Sequence, residues 1–563
     1  MGLSGAWAFE QNAVLSKRDY NKIFDELLIE KSDIRLYEKV FSALEKEDFK
    51  TADKLMQRID NDLLRGHVMA EKYLSKSYKS SYQELKDWLE AYSDHPQAVR
   101  IYNLAVRKGG AEGLTGPLSG VKNAQMLPWI EELTLKAKDK LWLAARVRDF
   151  NRAINQGKTK KARLILENVR LRKIIPNAQY DVLSTNLALK YLLDNEDKRA
   201  LEWTLKPMRR SQIAMAYWVA GLASWRLQNY RQAALYFSRL AKSGNDDEWL
   251  VSAGAYWAFR AYDKLQDKVK AELMLRFAAR YKRTFYGILA AYQTGESLRC
   301  NWESKAFLND YSKDDYIKEL LSSPAIRRAI VLLHAGQKDL AEKELRGDYN
   351  NMSDKQKETT LFIADQFQMH SFAILVSNQL KNGEQEWFYD NIAYPVPQWK
   401  PRNGWQIDKA LVLALTRQES SFMPEAVSSA GARGLMQLLP STAAHVTKDK
   451  SLLANKQKLF EAELNLELGQ KYMAYLMDKE FINGNLFYMM TAYNAGPGNL
   501  LKWKKTIRDN DDPLLFIEVI PARQTRIYIE RVMANYWIYC TRFGNEDRSL
   551  EDLAAGRWPK LER

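Results

Sequence analysis

Residues 227–237 read LQNYRQAALYF: a polar turn, an aromatic residue, then a helix carrying paired alanines. The same order returns as KEDFKTADKLM at 46–56, NQGKTKKARLI at 155–165 and AGQKDLAEKEL at 335–345. Small residues at this spacing let neighbouring helices approach closely. Trp218/Gly221 and Trp249/Gly254 lie about one helix pair apart and extend the pattern. From residue 1 to about 320 apolar positions recur at three and four, with few Val/Ile/Thr alternations to suggest strands.

The reading that follows is all-α, with an N-terminal α-superhelical solenoid of TPR-like type and no strict period. The chain has 563 residues, too many for one core. RKGGAEGLTGPLSG (107–120) reads as a loop between helices; no strand precedes it and no GK[S/T] closes it, so it is not a phosphate cradle. At LLSSPAIRRA (320–329) a helix restarts, with Ser322 or Ser323 as cap and Pro324 in the first turn. YPVPQWKPRNG (394–404), with three prolines and a glycine, marks a boundary. The expected segments are a superhelix over 1–320, a short helical linker over 321–388 and a mostly helical domain over 389–563.

Composition narrows the function. Lysine plus arginine exceed aspartate plus glutamate by 85 − 70 = 15, a balance that suits a polyanion or serves solubility. No RNP-like, helix-turn-helix or zinc pattern accompanies the charge, so a nucleic-acid binder is not expected. No segment has the length and apolarity of a spanning helix. The opening MGLSGAWAFEQNAVLSKRDY lacks a basic n-region and a long apolar run, leaving a cytosolic protein or one whose signal has been removed. Cys300 and Cys540 are far apart in sequence and form neither a metal spacing nor a disulfide framework. The histidines His67, His95, His334, His370 and His445 are scattered, so no metal or cofactor is expected.

In IDKALVLALTRQESSF (407–422), Leu411, Leu415 and Glu419 fall on one stripe at i+4 steps. A carboxyl on a buried stripe is pushed toward its protonated form, the property a proton donor needs near neutral pH. The plainer alternative is a helix-end glutamate paired with Arg417 or Arg433. Gly431 and Gly434 permit tight turns beside it, and Gln437 offers both a donor and an acceptor to a sugar or an amide. Pro440 reads as a stop, with Ser441 and Thr442 starting a new helix cap.

The stretch RQESSFMPEAVSSAGARGLMQLLPSTA (417–443) resembles the first motif block of the soluble lytic transglycosylases, goose-lysozyme-like enzymes that cleave the glycan strands of bacterial peptidoglycan. NLELG (465–469), TAYNAGPG (491–498) and FIEVIPARQTRIYIERV (516–532) resemble the remaining blocks, in order. RTFYGILAAY (283–292) is similar to the segment that ends the ring-shaped helical domain of the large periplasmic members. The resemblance implies a lysozyme-like fold for the last segment. It implies Glu419 as the single acid/base, Ser428 and Gln437 lining the glycan groove, Tyr493 and Asn494 facing the scissile sugar, and Glu518 contacting substrate. It further implies a 1,6-anhydro product, peptidoglycan strands as the binding partner, a periplasmic address with the signal removed, a monomer, and possible service to synthesis or secretion machinery. Gln524 and Leu439 depart from the family pattern. A hydrolytic muramidase and a non-catalytic glycan-gripping scaffold stay open as alternatives.

Overall fold

The structure is a computed structural model that describes residues 23–25, 27, 29–117, 127–302, 314–380, 389–545 and 547–561. The opening stretch 1–20 lies outside the described residues. The regular elements are helices throughout, and the only β-pairing among the described residues is a set of isolated bridges.

One turn device joins successive helices. Glu47, Gly157, Asn195, Gln228, Gln266, Gly336 and Gln368 all take left-handed backbone, and the residue after each is the N-cap of the next helix. Its N–H closes back on a carbonyl five residues earlier, as in Asn229→Ser224 at 2.9 Å, Asp267→Tyr262 at 3.0 Å and Met369→Ala364 at 2.7 Å. This is a Schellman closure, which satisfies the last carbonyls of the outgoing helix. Where the capping residue is Asp or Asn it also accepts an N–H of the incoming helix, as Asp48, Asn229 and Asp267 do. The four quoted repeats each hold one such left-handed residue. The turns at Asn195, Gln266 and Gln368 share the device.

Helix spacing follows the small residues. A Cβ on Gly221 would lie 2.4 Å from the Phe237 ring, and one on Gly254 would lie 2.8 Å from Leu240. The indole of Trp218 packs against Phe237 and Trp257, with ring centroids 5.5 and 6.3 Å apart.

Contacts divide the chain into two compact units. One gathers Met1–Asn123 with Asn301–Pro397, the other Ala124–Cys300 with Gln398–Arg563. The third cut, after Pro397, falls inside YPVPQWKPRNG. These units cross the expected segments, because residues 1–320 contribute to both. In the first unit, Tyr37, Leu64, Ile326, Leu361 and Phe372 share one core. Ser323 caps the Pro324–His334 helix by accepting from Ile326 N–H. In the second, helices Asn177–Leu193, Asp197–Lys206, Ala214–Arg226, Tyr230–Ala241, Glu248–Lys264, Lys268–Ala279 and Phe285–Gln293 pack in succession. The last of them docks on the C-terminal region. There Phe285 stacks on Trp537 at 5.0 Å, and Gln293 donates to the Ala554 carbonyl at 3.0 Å. Nearby, Arg260 pairs with Asp512 at 2.7 Å.

Candidate active site

The helix Lys409–Ser420 buries Ala410 to Thr416 completely or nearly so. It packs against the 21-residue helix Arg523–Phe543. Asp408 meets Tyr536, Asn535 reaches the Ala414 carbonyl, and Glu419 meets Tyr528, so the two helices run antiparallel. Glu419 thus sits in the last turn of a helix whose other end is fixed in the core. Immediately after it Ser421 and Phe422 both take left-handed backbone, which turns the chain away and leaves the carboxyl at the helix end.

Glu419 keeps some accessible surface, yet protein atoms enclose its carboxyl densely enough to push its pKa up to about 7. Burial is the dominant cause, opposed by a hydrogen bond from Tyr528 Oη at 2.7 Å. Among the described residues no cation pairs with it. Arg417 donates to Asn535 Oδ1 at 3.0 Å, and the Arg433 guanidinium lies over the Phe460 ring at 5.2 Å. The helix-end ion pair is therefore not what this structure holds. Nor, among the described residues, does a second carboxylate bear on Glu419; Glu425, the acid nearest in sequence, is exposed.

The loop after Glu419 is held by the other motif blocks. Ser420 Oγ donates to the Leu435 carbonyl at 2.7 Å. Arg433 and Leu438 exchange backbone hydrogen bonds at 2.9 and 3.1 Å. Buried Asn465 accepts from Met436 N–H at 2.8 Å and donates to the Arg433 and Leu459 carbonyls. Gly434 is left-handed, and a Cβ there would lie 2.1 Å from the Leu459 oxygen; one on Gly469 would meet Met436 Sδ at 1.9 Å. The NLELG block thus presses its asparagine and its glycine onto the loop.

Among the expected site residues, the structure sets Tyr493 beside Glu419. Tyr493 Oη donates to the Met436 carbonyl at 2.8 Å, and the charge of Glu419 helps hold its phenol well above the usual range, burial being the larger cause. Asn494 Oδ1 accepts from Thr525 Oγ1 at 2.8 Å. Gln437, itself left-handed, donates to the Ala426 and Gly434 carbonyls. Ser428 Oγ accepts from Ala432 N–H at 3.0 Å, so its role in this structure is to shape the loop.

Glu518 is set apart. It is 5% exposed and accepts from Tyr286 Oη. Burial pushes its carboxyl up to about 7, opposed by the Tyr286 hydrogen bond and then by Arg526. An acid enclosed in this way ties the Phe285–Gln293 helix to the C-terminal region and offers no open face to a substrate. Pro440 likewise departs from expectation: it opens the helix Pro440–Thr447 at its first position, after Leu439, with no side-chain cap. Tyr528 was not singled out by the sequence, although it lies in the quoted block 516–532; its partner is 109 residues away.

A second polar cluster lies in the other unit. His67, His95 and Glu344 come together there, buried, which their sequence positions did not suggest. Glu344 is held by Arg328 at 2.8 and 2.9 Å and by His67 Nε2 at 2.7 Å. Gln97 bonds the other His67 nitrogen at 3.0 Å. The Arg328 cation fills the place opposite the carboxylate, so the donor set does not suit a metal ion.

A family model for the transglycosylase SLT domain matches residues 399–516, the stretch that holds Glu419 and its loop. The soluble lytic murein transglycosylase of Salmonella typhimurium is 25% identical over 486 residues, covering 83% of this chain and 72% of the relative. That of Escherichia coli K12 is 28% identical over 281 residues, 49% of this chain and 41% of the relative. Membrane-bound lytic murein transglycosylase C of Histophilus somni is 34% identical over 153 residues, 24% of this chain and 42% of the relative. Among solved structures, the 70-kDa soluble lytic transglycosylase of Escherichia coli superposes with a TM-score of 0.63 at 18% identity, covering 94% of this chain and 99% of that one. The Pseudomonas aeruginosa lytic transglycosylase Slt, solved as an inactive mutant, gives 0.53 at 20% identity, covering 94% of this chain and 89% of that one. At these identities the structural likeness is one of fold. Residues 399–516 thus carry a transglycosylase SLT domain, and the chain as a whole is similar to the soluble lytic murein transglycosylases in its ordered motif blocks and all-helical fold.

Proposed function

We propose that this chain is a lytic transglycosylase that cleaves the MurNAc–GlcNAc β-1,4 bond of peptidoglycan and leaves 1,6-anhydro-MurNAc ends. The observation that carries the reading is the desolvated carboxyl of Glu419, near pKa 7 at the end of its helix, with a hydroxyl donor and no ionic partner among the described residues. Protonated Glu419 donates to the glycosidic oxygen as the bond breaks, and positive charge develops at the muramoyl anomeric carbon. The sugar's own N-acetyl carbonyl stabilises that charge, as in substrate-assisted glycosidases. The Glu419 carboxylate then takes the proton of the muramoyl C6 hydroxyl, whose oxygen closes on the anomeric carbon. Protons balance and no water is consumed. Hydrolases of the two-carboxylate type need a second acid to activate water or act as nucleophile; among the described residues none bears on Glu419.

In this scheme Tyr528 steadies the carboxylate form. Tyr493, through Met436, fixes the loop that carries Gln437, while Asn494 faces the scissile sugar and Ser428 shapes the groove wall. Along the chain we assign a superhelical segment to 1–320, a helical linker to 321–388 and the catalytic segment to 389–563. The substrate lies outside the cytoplasmic membrane, so a periplasmic address fits. Among the described residues no helix is long and apolar enough to cross a membrane.

The test is digestion of purified sacculi by the wild-type chain and by Glu419→Gln, with mass analysis of the muropeptides. Products lighter by one water than reducing ends, absent with Glu419→Gln, support the proposal. Reducing ends would assign a muramidase, and no cleavage by wild type would leave a glycan-gripping scaffold.

A further inference from the structure

A cavity of about 410 Å³ lies far along the chain from Glu419, among helices spanning 159–211 of the same compact unit. Its lining includes Arg172, Tyr180, Tyr191, Glu202, Trp203 and Lys206. Arg163 and Arg199 also line it but are partly neutralised, Arg163 by Glu167 at 3.6 Å and Arg199 by Glu196. Arg172, Glu202 and Lys206 are exposed and have no ion-pair partner among the described residues; Arg172 only approaches the Tyr180 ring, at 5.8 Å. Trp203 is half-buried, and among the described residues its indole stacks on no ring and its N–H donates to no group. A half-exposed tryptophan beside unpaired charges of both signs is the make-up of a polar ligand site, where one flat apolar wall meets a few placed polar groups.

The cavity is fixed on the catalytic part of its unit. The turn between Asn177–Leu193 and Asp197–Lys206, two of its lining helices, presents Asn195, whose amide donates to the Thr506 carbonyl at 2.9 Å. Thr506 ends the helix Pro497–Thr506, which begins inside the TAYNAGPG block. Arg226 locks the same turn, donating to Asp197 at 2.8 Å and to Asn195 Oδ1 at 2.9 Å.

The charges select the ligand. A neutral glycan leaves Arg172 and Lys206 unused, and a polyphosphate sets its charge against unpaired Glu202. A zwitterion satisfies both signs. We propose that this cavity is a second substrate subsite that takes the peptide-bearing amino sugar of the wall polymer. The sugar face lies on Trp203, the peptide carboxylates on Arg172 and Lys206, and the free amine of the peptide on Glu202. The inference rests on the peptidoglycan reading above and deepens it.

The experiment uses the full chain carrying Glu419→Gln, which removes turnover, and the N-acetylmuramoyl tetrapeptide released from sacculi, with chitotetraose as the peptide-free probe. Binding is read by isothermal titration calorimetry at low and at moderate salt. Adding Arg172→Ala with Lys206→Ala weakens the tetrapeptide about tenfold or more, the scale of hydrogen bonds to charged groups. Trp203→Ala weakens it as well, and exposed Lys242→Ala, outside the cavity, does not. The charge-dependent part fades as salt rises. Equal affinity for the tetrapeptide in the parent, the double variant and Trp203→Ala would overturn the subsite, as would a stronger loss for chitotetraose than for the peptide. Sacculus cleavage by wild type is scored separately. A chain that does not cleave yet loses the tetrapeptide through these substitutions refutes the catalytic reading and keeps the subsite. A chain that cleaves while the variants bind normally does the reverse.

Discussion

At the scale of a residue, Glu419 combines two properties that oppose each other in most sites: it is desolvated, and it is reachable. With its pKa near 7 and the protonated form as donor, kcat/KM falls as pH rises through about 7. Tyr528→Phe removes the hydrogen bond that favours the carboxylate, so the falling limb moves to higher pH while kcat drops about tenfold or more; a pH–rate profile of the two proteins checks it, and an unmoved limb contradicts it. Glu419→Gln also carries a stability signature. A carboxyl whose folded pKa is raised stabilises the fold below its unfolded pKa and loses that contribution as pH rises through about 7. The amide removes this penalty, on the order of 3 kcal/mol at pH 9, so the variant melts higher than wild type in alkaline buffer and equally at pH 4. The stripe position of Glu419 was legible because i+4 spacing is local. Tyr528 and the burial of Glu518 were not, because their partners arrive from distant segments of the chain.

At the scale of an element, the loop 426–438 is the part that a sequence motif names and only a structure explains. Its blocks were recognisable in order, yet their work is mutual support: Asn465 binds one side of Met436, and Tyr493 binds the other. Asn465→Ala leaves the Met436 N–H and the Arg433 and Leu459 carbonyls without this partner. Removing one buried amide of this kind costs about 2–4 kcal/mol, and activity falls further than stability because the loop beside Glu419 loosens. Thermal melts and turnover measured together separate the two effects; unchanged activity in a destabilised protein contradicts the linkage. The turns between helices teach a similar lesson. Alanine-bearing repeats announced helix pairs, while the left-handed residue that closes each turn is Glu, Gln, Asn or Gly, and no single residue type reveals it.

At the scale of the whole molecule, chain order and compact units differ. A division between the units falls within the proline-bearing stretch 394–404, but the grouping of 1–123 with 301–397 depends on long-range packing, and so does the meeting of His67 with Glu344. The two units respond to acid in opposite senses. Burial lowers the His67 pKa and hydrogen bonds lower that of Glu344 despite its burial; groups with depressed values lose their stabilisation as pH falls, His67 from about 6.5 downward. Burial raises Glu419 and Glu518 to about 7, so the second unit gains as pH falls from 8 toward 5. Hydrogen exchange, corrected for its intrinsic pH dependence, then shows weakened protection around Gly66–Tyr73 and strengthened protection around Tyr286 and Tyr528 on going from pH 8 to pH 5; parallel changes in both regions contradict this. A chain cut to 398–563 exposes Trp537 and leaves Glu518 without Tyr286, and it melts well below the intact protein; an equal midpoint contradicts that role for the Phe285–Gln293 helix.

Cleavage of sacculi in water enriched in oxygen-18 tests the central claim most directly, because it asks whether solvent enters the product. The account predicts muramoyl ends free of the heavy isotope from the wild-type chain and no new ends from Glu419→Gln. One heavy oxygen per cleaved bond, or undiminished cleavage by Glu419→Gln, would contradict it.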